Sequence, residues 1–153
     1  MKIAILYGTE TGNAEMLAED VAAHLQGDHE VSCANLSDTD PAALDASAFH
    51  LVICSTYGDG ELPASAQPFA EALAEKSPDL SSIRFAVFGL GDMEYPDTFN
   101  GGSAEICRIL TERGARQVGQ RVVHDASGPD MPEDLALPWA EAVVTNARAG
   151  AEA

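Results

Sequence analysis

The feature that most constrains this 153-residue chain is an alternation. Short apolar runs and amphipathic helical stretches take turns from one end to the other. Lys2 to Tyr7 is an apolar run closed by Gly8. Ala14, Leu17, Ala18, Val21, Ala22 and Leu25 then fall at spacings of three and four, on one face of a helix, with Gly27 as its stop. Glu30 to Leu36 reads as a second strand and Phe49 to Cys54 as a third, the most apolar of the set. Helical spacing returns from Ala64 to Lys76, and Arg84 to Phe88 is a fourth strand. Ile106, Ile109 and Leu110 mark a further helix ended by Gly114. Gln117 to Val123 is a fifth strand, and Leu135 to Arg148 a last helix carrying Trp139 and Val143.

Strands that are apolar throughout belong to a sheet covered on both faces, and helices between successive strands make that sheet parallel. The expected fold is therefore α/β, a doubly wound five-stranded parallel sheet with helices on both faces. Residues 1–148 are expected to form one domain and 149–153 a short frayed tail. Hydrophobic residues at 46% against 22% charged exclude a disordered chain.

The charges are lopsided, with 25 Asp and Glu against 8 Lys and Arg and a formal net charge of −17. Such a chain repels phosphate backbones and anionic headgroups, so nucleic acid and membrane surfaces are excluded as partners and basic surfaces favoured. No apolar run is long enough for a signal-peptide core or a membrane span, and a cytoplasmic protein is expected. Cys33, Cys54 and Cys107 form no pair or metal pattern, nor do the four histidines. We expect reduced thiols, packed as small hydrophobes, and no metal.

In doubly wound sheets ligands sit beyond the carboxyl ends of the strands, where the strand order reverses. The loops after strands one, three and four are the unusual parts of this sequence. The first is Gly8-Thr9-Glu10-Thr11-Gly12-Asn13-Ala14-Glu15, rich in hydroxyls and opening a helix, a setting that suits an anion on backbone N–H groups. It lacks Lys and Arg, and it matches neither a P-loop nor a G-x-G-x-x-G turn. The same residues would also serve as a plain helix cap. The second, Ser55-Thr56-Tyr57-Gly58-Asp59-Gly60-Glu61, sets an aromatic beside two glycines that allow close backbone approach to a flat ligand. A tight turn with Tyr57 folded onto the core is the alternative. The third runs from Gly89 through Leu90, Gly91, Asp92 and Tyr95 to Phe99 and Asn100. Two tyrosines on neighbouring loops could hold a planar ring between them.

On these three motifs the chain resembles the flavodoxins, and in particular the short, single-domain MioC-type members. It is also similar to the FMN domains of diflavin reductases. The resemblance spans the whole chain and implies the strand order 2-1-3-4-5 with FMN at the switch point. It implies that Thr9, Glu10, Thr11, Gly12, Asn13 and Ala14 hold the FMN phosphate, with Tyr57 and Tyr95 flanking the isoalloxazine. Backbone at Gly58 and Asp59, beside Ser55 and Thr56, would meet flavin N5, where a proton arrives with the first electron. Leu90, Gly91, Asp92, Phe99 and Asn100 would lie along the pyrimidine side and ribityl chain, and Asp125, ending strand five, aligns more loosely with a flavin contact. Ala14 stands where many flavodoxins have Thr, which leaves one fewer hydroxyl for the phosphate.

The function implied is that of a monomeric electron carrier, with no catalytic residue of its own. FMN takes electrons one at a time from a separate NAD(P)H-dependent reductase and passes them to an acceptor enzyme. The alternative is an FMN-dependent NAD(P)H oxidoreductase acting on a small molecule such as a quinone. A phosphoacceptor receiver domain is excluded, because strands one and three end in Tyr7-Gly8 and Ser55-Thr56, without the acids that chemistry needs. Asp59, Glu61, Asp92, Glu94 and Asp97 crowd the two expected ring loops, and no Lys or Arg occurs from Ser55 to Glu75 or from Phe85 to Cys107.

Overall fold

The structure, a computed structural model, describes residues 1–9, 12–55, 62–91, 101–125 and 131–152. Along the chain stand β1 (Lys2–Gly8), α1 (Asn13–Leu25), β2 (Glu30–Asn35), β3 (Phe49–Ser55), α2 (Gln67–Lys76), β4 (Arg84–Gly91), α3 (Gly101–Glu112), β5 (Arg116–Gln117), β6 (Val122–Asp125) and α4 (Pro132–Glu152). All the strands pair in parallel, in the order β2-β1-β3-β4-β5, with β6 also on β4.

The strand pleat divides the core into two layers. Ile3, Ile5, Phe49, Leu51, Ile53, Ala86 and Phe88 face α1 and α4, and they meet Leu17, Val21, Trp139 and Val143 there. Phe88 and Trp139 set their rings 5.4 Å apart at 53°. On the other face Leu6, Val52, Cys54, Phe85 and Val87 pack against Phe69 and Leu73 of α2 and Ile106 and Leu110 of α3. His24 of α1 and Glu141 of α4 are joined at 2.7 Å across the first layer.

The sheet corrects the expectation of five unbroken strands. The last position is filled by two pieces, β5 pairing Arg84 and Phe85, and β6 pairing Phe88 to Gly91. Gly119 lies between them at φ 71°, a left-handed turn that takes the chain out of the ladder before it returns at Val122. Two further boundaries moved. The last helix starts at Pro132, whose fixed φ suits a first turn, and it continues to Glu152 through residues where a tail was expected. Two short 3₁₀ turns, Leu36–Asp38 and Pro41–Ala43, occupy the stretch before β3.

The helices run back against the strands, so the molecule has two distinct ends. Near the amino ends of the strands, the Arg84 guanidinium donates to the Ala147 carbonyl at 2.8 Å, and the N–H of Glu30 donates to the Met1 carbonyl at 3.0 Å. The positive charges collect at this end. Lys2, Arg84 and Arg116 begin strands, Lys76 ends α2, Arg113 follows α3, and Arg148 lies in the last stretch of α4. None of these six lies at the carboxyl edge of the sheet.

Candidate flavin site at the carboxyl edge of the sheet

The carboxyl ends of four strands line up by register. Gly8 pairs with Cys54, Ser55 with Leu90, Leu90 with His124, and Gly91 with Asp125. Three inter-strand steps separate Gly8 from Asp125, about 14 Å at the usual spacing. Of the residues expected to bind a cofactor, Thr9, Gly12, Asn13, Ala14, Ser55, Leu90, Gly91 and Asp125 are described. The sheet brings all eight to this edge or to the helix that rises from it. Glu10, Thr11, Thr56, Tyr57, Gly58, Asp59, Asp92, Tyr95, Phe99 and Asn100 lie outside the described residues.

The best-defined part is the turn from β1 into α1. Gly12 precedes the helix at φ 96°, a conformation that L side chains avoid, and a Cβ placed there would meet none of the described residues within 4 Å. The Thr9 hydroxyl accepts the Gly12 N–H at 2.7 Å, and the Gly12 carbonyl accepts from Met16 at 3.1 Å. Gly12 has no side chain to cap α1, and among the described residues no other side chain does so. The first-turn N–H groups of α1 stand at the positive end of the helix dipole. Ala14 is fully buried and packs beneath the turn.

A clamp not foreseen from the sequence holds this turn. The Thr9 N–H donates to the Ser65 hydroxyl at 2.7 Å, and the Ser65 N–H returns to the Thr9 carbonyl at 3.3 Å. The segment just before α2 is thus tied back to the turn between β1 and α1. The helical spacing read from Ala64 hid it, because α2 begins only at Gln67 and residues 64–66 form a turn. Below it, a Cβ on Gly8 would stand 3.0 Å from the Ala66 Cβ, 3.2 Å from Leu36 and 3.3 Å from the Cys54 sulfur. Only glycine lets these elements close together. The Ser55 hydroxyl donates to the Gly8 carbonyl at 3.3 Å, which joins β1 to β3 where the strand order reverses.

The cysteines divide. Cys54 is fully buried beneath this edge, and burial pushes its thiol up to about 12. Cys107 is half-buried. Cys33 is exposed on β2 and not packed as expected. Desolvation first, and then the carboxylates of Glu19 and Glu15, raise the Cys33 thiol above its ordinary value. Among the described residues no group of three or more His, Cys, Asp or Glu could hold a metal. No helix among them is long and apolar enough to cross a membrane.

A helix rising from the switch point of a 2-1-3-4-5 parallel sheet is the doubly wound architecture of the flavodoxin-like proteins. The comparisons narrow this. The family model described as Flavodoxin matches residues 5–139, and this chain belongs to the flavodoxin family, whose members carry electrons on bound FMN. It is 38% identical to Protein MioC of Escherichia coli K12 over 137 residues, 90% of this chain and 92% of that one. It is 34% identical to the sulfite reductase [NADPH] flavoprotein alpha-component of Bacillus subtilis, covering 94% of this chain but 23% of that protein. Among solved structures, a flavodoxin from Pseudomonas aeruginosa, solved as a cysteine-to-alanine mutant, superposes with a TM-score of 0.81 at 34% identity, over 95% of this chain and 99% of the other. Flavodoxin 2 from Bacillus cereus gives 0.81 at 30% identity, over the same shares.

The described residues fit FMN at its phosphate end. The first turn of α1 has neutral N–H groups that would suit a phosphate, and the Thr9–Gly12 and Thr9–Ser65 hydrogen bonds fix the turn that leads into it.

Proposed function

We propose that the chain is a single-domain one-electron shuttle. It accepts electrons from a separate NAD(P)H-dependent reductase and delivers them to an acceptor enzyme, without turning over a substrate itself. The observation that carries this reading is the helix that starts after the left-handed Gly12 at the switch point, in a chain of the flavodoxin family. When bound, FMN supplies the redox chemistry. The residues of the chain bind and orient it. Thr9, Gly12, Asn13 and Ala14, with Glu10 and Thr11, would take the phosphate. Ser55 and Thr56 would lead into the ring contacts, with Tyr57 and Tyr95 flanking the ring. Backbone at Gly58 and Asp59 would serve the N5 position. Leu90, Gly91, Asp92, Phe99, Asn100 and Asp125 would border the remaining edge.

The distribution of charge supports a basic partner. Six of the eight cations lie away from the carboxyl edge, and five acids sit in the two ring loops of the sequence. Together these give the molecule a negative pole at the end proposed to hold the flavin. A positively charged reductase or acceptor would be turned toward that end during encounter. The same negative field opposes an anionic reduced flavin and so favours a strongly reducing carrier. We further propose that the protein works as a monomer in the cytoplasm.

Stepwise reduction of the purified protein followed in the visible spectrum tests the reading. A flavin spectrum that passes through a stable one-electron form supports it. A protein that takes up no FMN overturns it. Rapid oxidation of NAD(P)H by the protein alone would replace it with the quinone-reductase alternative.

A further inference from the structure

The two edges of the sheet are built differently. One is broken, with β5 only two residues long and the left-handed turn at Gly119 between it and β6. The other is β2, six residues in one run. It pairs with β1 along its length, and among the described residues no strand pairs with its outer side. The Glu30 N–H donates inward, to the Met1 carbonyl. Alternation along the strand turns Ser32 and Ala34 inward as well and leaves the main-chain groups of Val31, Cys33 and Asn35 facing out. The Asn35 carbonyl accepts the Thr39 hydroxyl. The three outward N–H groups and the carbonyls of Val31 and Cys33 are left as an open ladder of about 13 Å.

Soluble proteins guard such an edge with Lys, Pro, a bulge or a covering segment. Val31-Ser32-Cys33-Ala34 carries no Lys or Pro and pairs with β1 without a bulge, and Ser32, Cys33 and Ala34 are exposed. What flanks the strand is acid. Cys33 is in register with Ile5, on the sheet face that α1 covers. Desolvation first, and then Glu19 and Glu15 of α1, raise its thiol, so both carboxylates stand near it. Glu30 begins the strand, and Lys2, its register partner, is held by Asp45. Two copies joined along β2 would bring these carboxylates together. The charge that repels a second copy selects a basic strand.

We propose that the outer side of β2 is a docking edge for an extended, basic segment of a partner protein, added to the sheet as a further strand. Main-chain hydrogen bonds to Val31, Cys33 and Asn35 hold the segment, and its Lys or Arg side chains on the α1 face meet Glu15 and Glu19. The edge does not depend on FMN binding.

The test uses the full chain and a labelled peptide of alternating Lys and Val. The controls are the same peptide with its amides N-methylated, which cannot donate to a ladder, and a peptide of alternating Glu and Val. Fluorescence anisotropy reads binding, and amide exchange followed by NMR reads its place. In the free protein the Val31, Cys33 and Asn35 amides should exchange fast and those of Ser32 and Ala34 slowly. The Lys peptide should bind and slow the three outward amides about tenfold or more. Cys33→Pro removes an outward N–H and no inward one, and should weaken binding about tenfold. Cys33→Ser should bind as wild type does. Glu15→Gln/Glu19→Gln should weaken binding by a similar factor at low salt. Outward amides already slow in the free protein, no binding of the Lys peptide, equal binding of either control peptide, or protection away from β2 would each overturn the proposal. So would a dimer of the protein alone that protects the same amides, because a second copy would then be the occupant. If Cys33→Pro does not fold, the N-methylated peptide and the exchange pattern of wild type decide by the same criteria.

Discussion

The Thr9 side chain and the Gly12 backbone share a 2.7 Å hydrogen bond that holds the turn into α1 in its left-handed form. Because the acceptor is a hydroxyl and the donor a main-chain N–H, the contact can be removed without changing charge. Thr9→Val keeps the shape and deletes the acceptor. We expect FMN affinity to fall about tenfold, with riboflavin affinity nearly unchanged, since only FMN carries the phosphate. Fluorescence titration of apoprotein with the two flavins measures the difference. An equal loss for both would place this turn elsewhere than at the phosphate.

Two glycines four residues apart should answer differently to alanine. At Gly12 none of the described residues would meet an added methyl, but φ is 96°, so Gly12→Ala should cost the backbone term, about 1–2 kcal/mol. That corresponds to a fall in Tm of a few degrees for a domain of this size. At Gly8 the added methyl would stand 3.0 Å from the Ala66 Cβ and 3.3 Å from the Cys54 sulfur. Gly8→Ala should cost about 1–3 kcal/mol by overpacking and should spread β1 from the start of α2. Thermal unfolding of the apoproteins orders the two, and added FMN should rescue Gly12→Ala more than Gly8→Ala.

Changing Asp59, Glu61, Asp92 and Glu94 to Asn or Gln removes four negative charges from the proposed docking end. Reduction by a basic partner reductase should slow at low ionic strength and lose much of its salt dependence, by about tenfold in rate or more. Stopped-flow traces across a salt series test this. A rate and salt slope equal to wild type would remove steering from the account.

His50 is buried on β3 beside Leu6, Phe69 and Phe85, and burial lowers its pKa below the ordinary value. The folded state thus holds the neutral ring while the unfolded chain binds a proton near pH 6.5. This contribution to stability is complete above that pH and is lost progressively as pH falls below it. His50→Leu should remove that fall, making stability less steep between pH 7 and 5 than in wild type. Urea midpoints across this range provide the measurement, and parallel slopes would contradict the assignment.

Much of the fold was legible because the central strands β1, β3 and β4 are apolar and buried along most of their length, while α1 shows one apolar stripe. The Ala14 to Leu25 spacing marked the face that α1 buries, and the run from Phe49 to Cys54 marked the central strand. The split in the last strand was not legible. Gly119 and its neighbours fit a strand pattern, and only the backbone shows the left-handed turn between β5 and β6. The 3₁₀ turns were missed for a related reason. They depend on the Asn35 and Asp40 side chains accepting from Ser37 and Ala42, local bonds that leave no periodicity. At the candidate site, the turn between β1 and α1 was readable from its glycine. The Ser65 clamp joins residues 56 positions apart, and no spacing rule connects them.

The contact between Arg84 and Ala147, together with Met1 beside Glu30, places the beginning of β1 and the far part of α4 at the same end of the molecule. That end is opposite the edge where the flavin is proposed to sit. A tag, tether or second protein joined there would leave the redox face clear. A fold laid out this way would allow attachment from behind while the proposed working surface in front stays free.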